Sequence, residues 1–196
     1  MINLTLPKTV EIDGKPYDIR YDFRVIIEIL IMLNDPDLSN TDKAEALLTM
    51  FYLDPEEITD VRSAVDAAYR FIDGNSDRKS QKGPRLTDWE QDFDYIVSPI
   101  NRVLGYECRS VEYDGENNTG GLHWWTFMAA YMEIGGDCLF SQIVSIRDKQ
   151  ARGKKLEKYE REWLRRNADL VKIKTKYSDN ENDLIADWTK AVNTDG

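Results

Sequence analysis

One histidine and two cysteines among 196 residues leave little from which to build the commonest enzyme sites. A zinc site calls for four suitable ligands, which Cys108, Cys138 and His123 do not supply, and two cysteines so far apart are too few for a disulfide framework. They read as buried or idle thiols of a reducing compartment. Any Ser/His/Asp or Cys/His arrangement would depend on His123 alone. Neither GxGxxG nor GxxxxGK[ST] occurs, so no phosphate-cradling loop is signalled, and Ser98 and Ser141 have no nucleophile-elbow context. No stretch approaches the roughly 18 consecutive apolar residues of a membrane span. The N-terminus lacks the basic and apolar zones of a secretory signal. These absences predict a soluble protein that stays in the cytoplasm where it is made, uses no cofactor and touches no membrane.

What is plentiful is charge, unevenly spread. Acids outnumber bases 36 to 26, for a net charge of -10, which opposes general binding to phosphate backbones. Residues 149–176 nevertheless hold about 11 basic and 4 acidic side chains, while residues 177–196 hold about 1 and 5. One basic segment sits in an acidic protein.

Residues 1–21 alternate apolar and polar positions (Ile2, Leu4, Leu6; Val10, Ile12; Tyr17, Ile19, Tyr21), the period of half-buried strands, and Asp13-Gly14 is a strong hairpin signal. A short antiparallel β-meander is expected. After the N-cap Asp22, Phe23, Ile26, Ile27, Leu30 and Leu33 recur at helical spacing. A second helix begins after Ser39, Asn40 or Thr41 and buries Ala44, Leu47, Leu48 and Phe51. A third starts at Asp54-Pro55 with Glu57 placed to bond back, and buries Ile58, Val61, Val65, Ala68 and Ile72.

Residues 75–86 are too poor in apolar side chains to offset the entropy of ordering and read as a mobile loop. A fourth helix follows Thr87, with Trp89, Phe93, Ile96, Ile100 and Val103 inward and Pro99 bending or splitting it. Residues 105–121 read as irregular. Helices over about 122–134 (Leu122, Trp125, Met128, Ala129 and Met132 inward) and about 139–148 (Leu139, Phe140, Ile143, Ile146) complete the core. A charged helix over about 154–174 has a narrow stripe of Leu156, Tyr159, Trp163, Leu164 and Leu170, which suggests a partner or a loose dock. Residues 177–196 read as a flexible acidic tail, within which Leu184, Ile185, Ala186 and Trp188 can form one short amphipathic turn. The expected fold is therefore α+β and mainly α: the meander at 1–21, a core of about six helices over 22–148, the basic helix at 149–176, then the tail.

Three groups invite chemistry. Asp88, Glu90, Asp92 and Asp94 are dense enough for Mg²⁺ or acid/base work, yet only Asp88 with Asp92 and Glu90 with Asp94 share a helix face, and acids in a first turn favour the helix dipole. The structural reading is preferred, and no catalytic or metal-ligating residue is assigned. The basic helix interleaves Glu157, Glu160 and Glu162 with its lysines and arginines, as a solvated helix does. That reading is preferred over nucleic acid, and a basic arm can also dock on an acidic protein, including the N-terminal region of a second copy. Trp124 and Trp125 lie about 100° apart on a helix, so either one is core and the other partly exposed or covered by a partner, or the two are buried in different parts of one core.

The order LPKTVEIDGKPYDIRYDFR, DWEQDFDYI, LHWWTFMAAYMEI and QIVSIRD resembles a family of siphophage and prophage tail assembly chaperones encoded just ahead of the tape measure protein. The likeness covers about residues 3–175, most specifically Leu122-His123-Trp124-Trp125 with Phe127, then Ile143 and Ile146-Arg147. Pro99 and the Gly/Asn-rich stretch 114–121 depart from the smoother helical connection expected there. The resemblance implies a non-enzymatic protein that escorts the tape measure protein, and engages the major tail protein or a companion chaperone, in the host bacterial cytoplasm before leaving the virion. Candidate protein-binding residues are Leu122, His123, Trp124, Trp125, Phe127, Arg147, Arg161, Trp163 and Arg165. A structural tail or virion component is the alternative function, ahead of a metal-dependent hydrolase using the acidic pairs and of a nucleic-acid binder using residues 152–176.

Overall fold

Asp13 and Gly14 both take left-handed backbone angles (φ 49° and 79°), as a tight hairpin turn demands, and join β1 (Thr9–Ile12) to β2 (Lys15–Asp18) with Thr9 opposite Asp18 and Ile12 opposite Lys15. The computed structural model describes residues 5–74, 83–174 and 176. Ile2 and Leu4 of the expected first strand lie outside the described residues, and Leu6 is exposed and outside any strand. The described element is thus a hairpin instead of a three-stranded meander. Its further pairing comes from a distant segment: Ile19 bridges Tyr52, Arg20 N–H donates to Phe51 O at 2.8 Å, and Leu53 N–H donates to Asp18 O at 3.1 Å.

Eight helices follow among the described residues. α1 (Phe23–Leu33) is capped by Asp22, whose carboxylate accepts from Arg24 N–H. α2 (Asn40–Phe51) opens on a capping box between Ser39 and Asp42. The expected start of the third helix at Asp54 is corrected. Pro55–Glu57 form only a 3-10 turn, Asp54 makes no side-chain cap, and α3 (Val61–Ile72) is capped by Asp60, whose carboxylate accepts from Ser63 N–H. That later start moves Val61 to the surface and turns Ala64, Ala67, Ala68, Phe71 and Ile72 inward. The small alanines let α3 lie close to α2 and β1, its neighbours.

α4 (Trp89–Leu104) is capped by Asp88, one residue after the expected Thr87, and ends at left-handed Gly105. Pro99 does not split it. Pro99 is buried, as are Ile96, Val97 and Ile100 of the same helix, and burial of such side chains offsets the roughly 3 kcal/mol an interior proline costs. Val103 is exposed instead of buried. The stretch 105–121 is more ordered than expected, with a 3-10 turn at Cys108–Ser110 and a second small hairpin, β3 (Tyr113–Asp114) against β4 (Thr119–Gly120).

α5 (Trp124–Met132) and α6 (Leu139–Ala151) come next. The expected single basic helix is in fact α7 (Lys158–Arg166) and a short α8 (Ala168–Val171), interrupted at Asn167, whose side-chain N–H bonds back to Trp163 O at 2.9 Å. The expected mobile loop falls mostly on residues 75–82, and the expected acidic tail with its amphipathic turn on 177–196; both lie outside the described residues.

The core is aromatic at its centre. Phe23 stacks on Phe127 at 4.6 Å between ring centres, Trp124 stacks on Phe127 at 5.8 Å, and Phe51 meets Phe71 at 5.4 Å. Aromatic pairs of this kind contribute about 0.5–1.5 kcal/mol beyond their area burial. With Phe71 stacked on Trp125 at 5.5 Å, they tie α1, α2, α3 and α5 into one body.

Candidate functional site

The motif Leu122-His123-Trp124-Trp125 forms a junction of the fold. His123 caps α5: its Nδ1 accepts from Trp125 N–H at 3.0 Å, which places the ring proton on Nε2, donating to Pro7 O at 2.8 Å. Burial, the largest influence, pushes the imidazole pKa below its ordinary value, with Lys8 acting the same way and the Pro7 bond opposing. Both indoles then act on α3. Trp124 Nε1 donates to Ile72 O and Trp125 Nε1 to Phe71 O, each at 2.8 Å, satisfying carbonyls that a helix C-terminus leaves without intrahelical donors.

This pairing sets the rotation of α5. Trp124, Phe127 and Ala130 face inward, Trp125 and Met128 are partly buried, and Ala129 and Met132 are exposed. The expected inward stripe was therefore out of phase by about one residue. Leu122 precedes the helix, is buried, and donates its N–H to Asp22 at 2.8 Å. Asp22 in turn is paired with Arg24, whose other guanidinium nitrogen donates to Arg109 O and Val111 O. No signal of periodicity marks Asp22 as a partner of Leu122; the left-handed Gly121, beside the Asp22 carboxylate, was the available hint.

A second node gathers around Arg147 and Asp92, whose side chains are 4% and 0% exposed. Arg147 donates to both Asp92 oxygens at 2.6 and 3.0 Å, to Leu86 O at 2.9 Å, to Val171 O at 2.7 Å and to Leu170 O at 2.9 Å. Asp92 also accepts from Asp88 N–H at 2.8 Å, and Asp88 caps α4 while pairing with Arg85. Gln91 adds two bonds, donating to Lys172 O and accepting from Lys174 N–H. The polar groups around Arg147 and Gln91 thus fasten residues 170–174 to α4, so the basic segment packs on its own domain.

The acidic cluster is distributed among local tasks. Asp88 caps, Asp92 pairs with Arg147, Glu90 pairs with Lys176 and Asp94 is exposed. Among the described residues no group of three or more His, Cys, Asp or Glu is placed to hold a metal ion. Both cysteines are free: burial pushes the Cys108 thiol pKa up, and Cys138 caps α6. No helix among the described residues is long and apolar enough to cross a membrane.

The nine candidate binding residues fall into two groups. Leu122, His123, Trp124, Phe127 and Arg147 are buried and Trp125 is half-buried, all engaged in intramolecular packing or hydrogen bonds. These side chains are occupied within the fold. Arg161 and Arg165 are exposed on α7, and Trp163 is half-buried beneath them. Val103, Met132 and Leu139, expected inward, are exposed, as is Tyr106, and Arg102 on α4 pairs with Asp137, just before α6, at 3.0 Å.

Residues 2–177 match the model of a family described as Bacteriophage Gp15 protein. No curated protein and no solved structure matches the chain.

Proposed function

The chain belongs to the Bacteriophage Gp15 protein family, and from that premise we propose that it is a tail assembly chaperone. In this reading it binds the tape measure protein, and through it the major tail protein or a companion chaperone, in the host cytoplasm during tail morphogenesis. It acts without catalysis and leaves before the virion is complete. The family match over nearly the whole chain carries the reading, together with the resemblance of the LPKTVEIDGKPYDIRYDFR and LHWWTFMAAYMEI segments to such chaperones.

One feature of the surface and one of the interior support a protein-binding role. Val103, Met132 and Leu139 expose apolar side chains on α4, α5 and α6, of which α5 and α6 both pack on α4, and exposed apolar side chains can take the apolar face of a client helix. The polar side chains at the two buried nodes are occupied in holding the fold, which leaves them to structure in preference to chemistry.

The test is co-expression with fragments of the tape measure protein, followed by size-exclusion chromatography with light scattering. A soluble complex is expected where the fragment alone precipitates, and Met132→Asp with Leu139→Asp is expected to weaken it. A client that stays insoluble with every fragment would overturn the reading. Mass spectrometry of purified virions separates a chaperone, which is depleted, from a structural tail component, which remains.

A further inference from the structure

We propose that the chain associates head to tail with itself, the outer face of α7 of one copy docking in the groove between the N-terminal hairpin and α3 of the next. The inference stands apart from the identity of any client.

α7 is seated by Glu160, which is buried and paired with Lys149, and by the half-buried Trp163 and Leu164. Its remaining face is open. Lys158, Arg161 and Arg165 follow one another at i, i+3 and i+7 and so form one row, with Arg166 and Glu162 beside it, all exposed. Arg161 bonds to Leu156 O, while Lys158, Arg165 and Arg166 make no ion pair among the described residues.

The complementary surface lies at the other end of the sequence. Asp66, Tyr69, Arg70 and Asp73 share one face of α3, at i, i+3, i+4 and i+7, and border a groove of about 530 Å³ whose opposite wall carries Glu11 and Asp13. None of the four carboxylates makes an ion pair among the described residues. The exposed Tyr69 ring offers the kind of surface on which the stem and head of a lysine or arginine rest. The groove lining holds a single base, Arg70, and the face beside the α7 row a single acid, Glu162.

Charge selects the occupant. A second copy carries both halves of the contact, a basic row on a helix and an acidic groove, and so meets each exposed surface with its opposite. Because arm and groove are different surfaces, both stay open at the ends of any pair, and association continues into chains or rings.

The full chain is examined by sedimentation velocity at about 50 mM and about 0.5 M salt, where charge screening is weak and strong respectively. The expected result is a mass that rises with concentration at low salt and returns to the monomer at high salt. Lys158→Glu with Arg165→Glu is expected to give a monomer, as is Asp66→Lys with Asp73→Lys, each with an unchanged circular dichroism spectrum. Mixed in equal amounts, the two variants are expected to associate again, because the reversed arm of one fits the reversed groove of the other.

A wild-type chain that stays monomeric at low salt overturns the proposal, as does a mixture that fails to associate. Two further results overturn it by naming another occupant: association that appears only after residues 177–196 are deleted, which assigns α7 to the chain's own acidic segment, or steeply salt-dependent binding of a DNA duplex that the α7 reversal abolishes.

Discussion

Asp92→Ala is expected to be the most damaging single truncation of a polar side chain. The substitution leaves the Arg147 guanidinium, 4% exposed in the folded chain, without its carboxylate. Removing one partner of a buried pair costs about 3–5 kcal/mol, because the remaining charge is neither hydrated nor compensated. Against a total stability of roughly 5–15 kcal/mol, that loss is large. At about 2–4 °C per kcal/mol for a chain of this size, Tm is expected to fall by roughly 6–20 °C.

The double variant Asp92→Leu with Arg147→Met removes both charges and keeps the volume filled. It still takes the donor from Leu86 O, Leu170 O and Val171 O, at about 1 kcal/mol each, yet it is expected to cost less than the two single changes combined. Urea denaturation of the single and double variants measures this coupling. Hydrogen exchange adds a spatial check, since protection at residues 170–174 is expected to fall first. A loss below about 1 kcal/mol for Asp92→Ala, or additivity of the two changes within about 0.5 kcal/mol, would refute the argument.

Three further outcomes follow from the junction at His123 and the contacts around it. Because burial depresses the His123 pKa in the folded chain, its contribution is present above the unfolded value of about 6.5 and is lost as pH falls from there through the folded value; His123→Asn, which keeps a capping acceptor, is expected to flatten the change in denaturation midpoint between about pH 7.5 and 5.5, and an unchanged slope would sink the idea. Gly121→Ala is expected to cost about 2–4 kcal/mol, since a Cβ there collides with the Asp22 carboxylate and comes within 2.9 Å of the Tyr113 ring at φ +77°; Gly74→Ala, also left-handed but in open space, is expected to cost only about 1 kcal/mol, and equal effects in thermal melts would contradict the geometry. Trp124→Phe keeps most of the aromatic bulk but orphans the Ile72 carbonyl, so a loss of about 1–3 kcal/mol is expected from chemical denaturation, and a neutral result would show that the indole N–H contributes nothing.

Elements with strong local punctuation were legible in the sequence. Asp13-Gly14 and the Asp22 cap depend on neighbours within a few residues and stand where the pattern predicts, and the second helix is capped by Ser39, the first of its three candidates. Asp54-Pro55 shows the limit of such signals, because two cap candidates compete six residues apart and Asp60, with Ser63 to bond, starts the helix that packs. The rotation of α5 was illegible for another reason. WWTFMAAYM is apolar almost all round, so periodicity cannot choose a face, and the choice falls to two indole N–H groups seeking carbonyls on a helix more than fifty residues away.

The candidate site suffered the same ambiguity, since a run of tryptophans reads alike whether it anchors a partner or the interior. Arg147 stood out within QIVSIRD, but its carboxylate partner 55 positions earlier left no local trace. The acidic groove was likewise hidden, because its other wall, Glu11 and Asp13, lies more than fifty residues before Asp66 and Asp73.

The pairing of Tyr21, Asp22 and Phe23 with Leu122, His123 and Trp124 also dictates an order of events during synthesis. Phe23 N–H is taken by Leu122 O and Trp124 N–H by Tyr21 O, across about a hundred residues of intervening chain. A nascent chain that has released the hairpin and α1 therefore waits, with the edge around Asp22 open, until more than half of the protein has left the ribosome. Closing so long a loop is entropically slow compared with forming helices from neighbouring residues. Final folding is thereby placed late in translation, when α3 and α4 are already available to receive the two tryptophans.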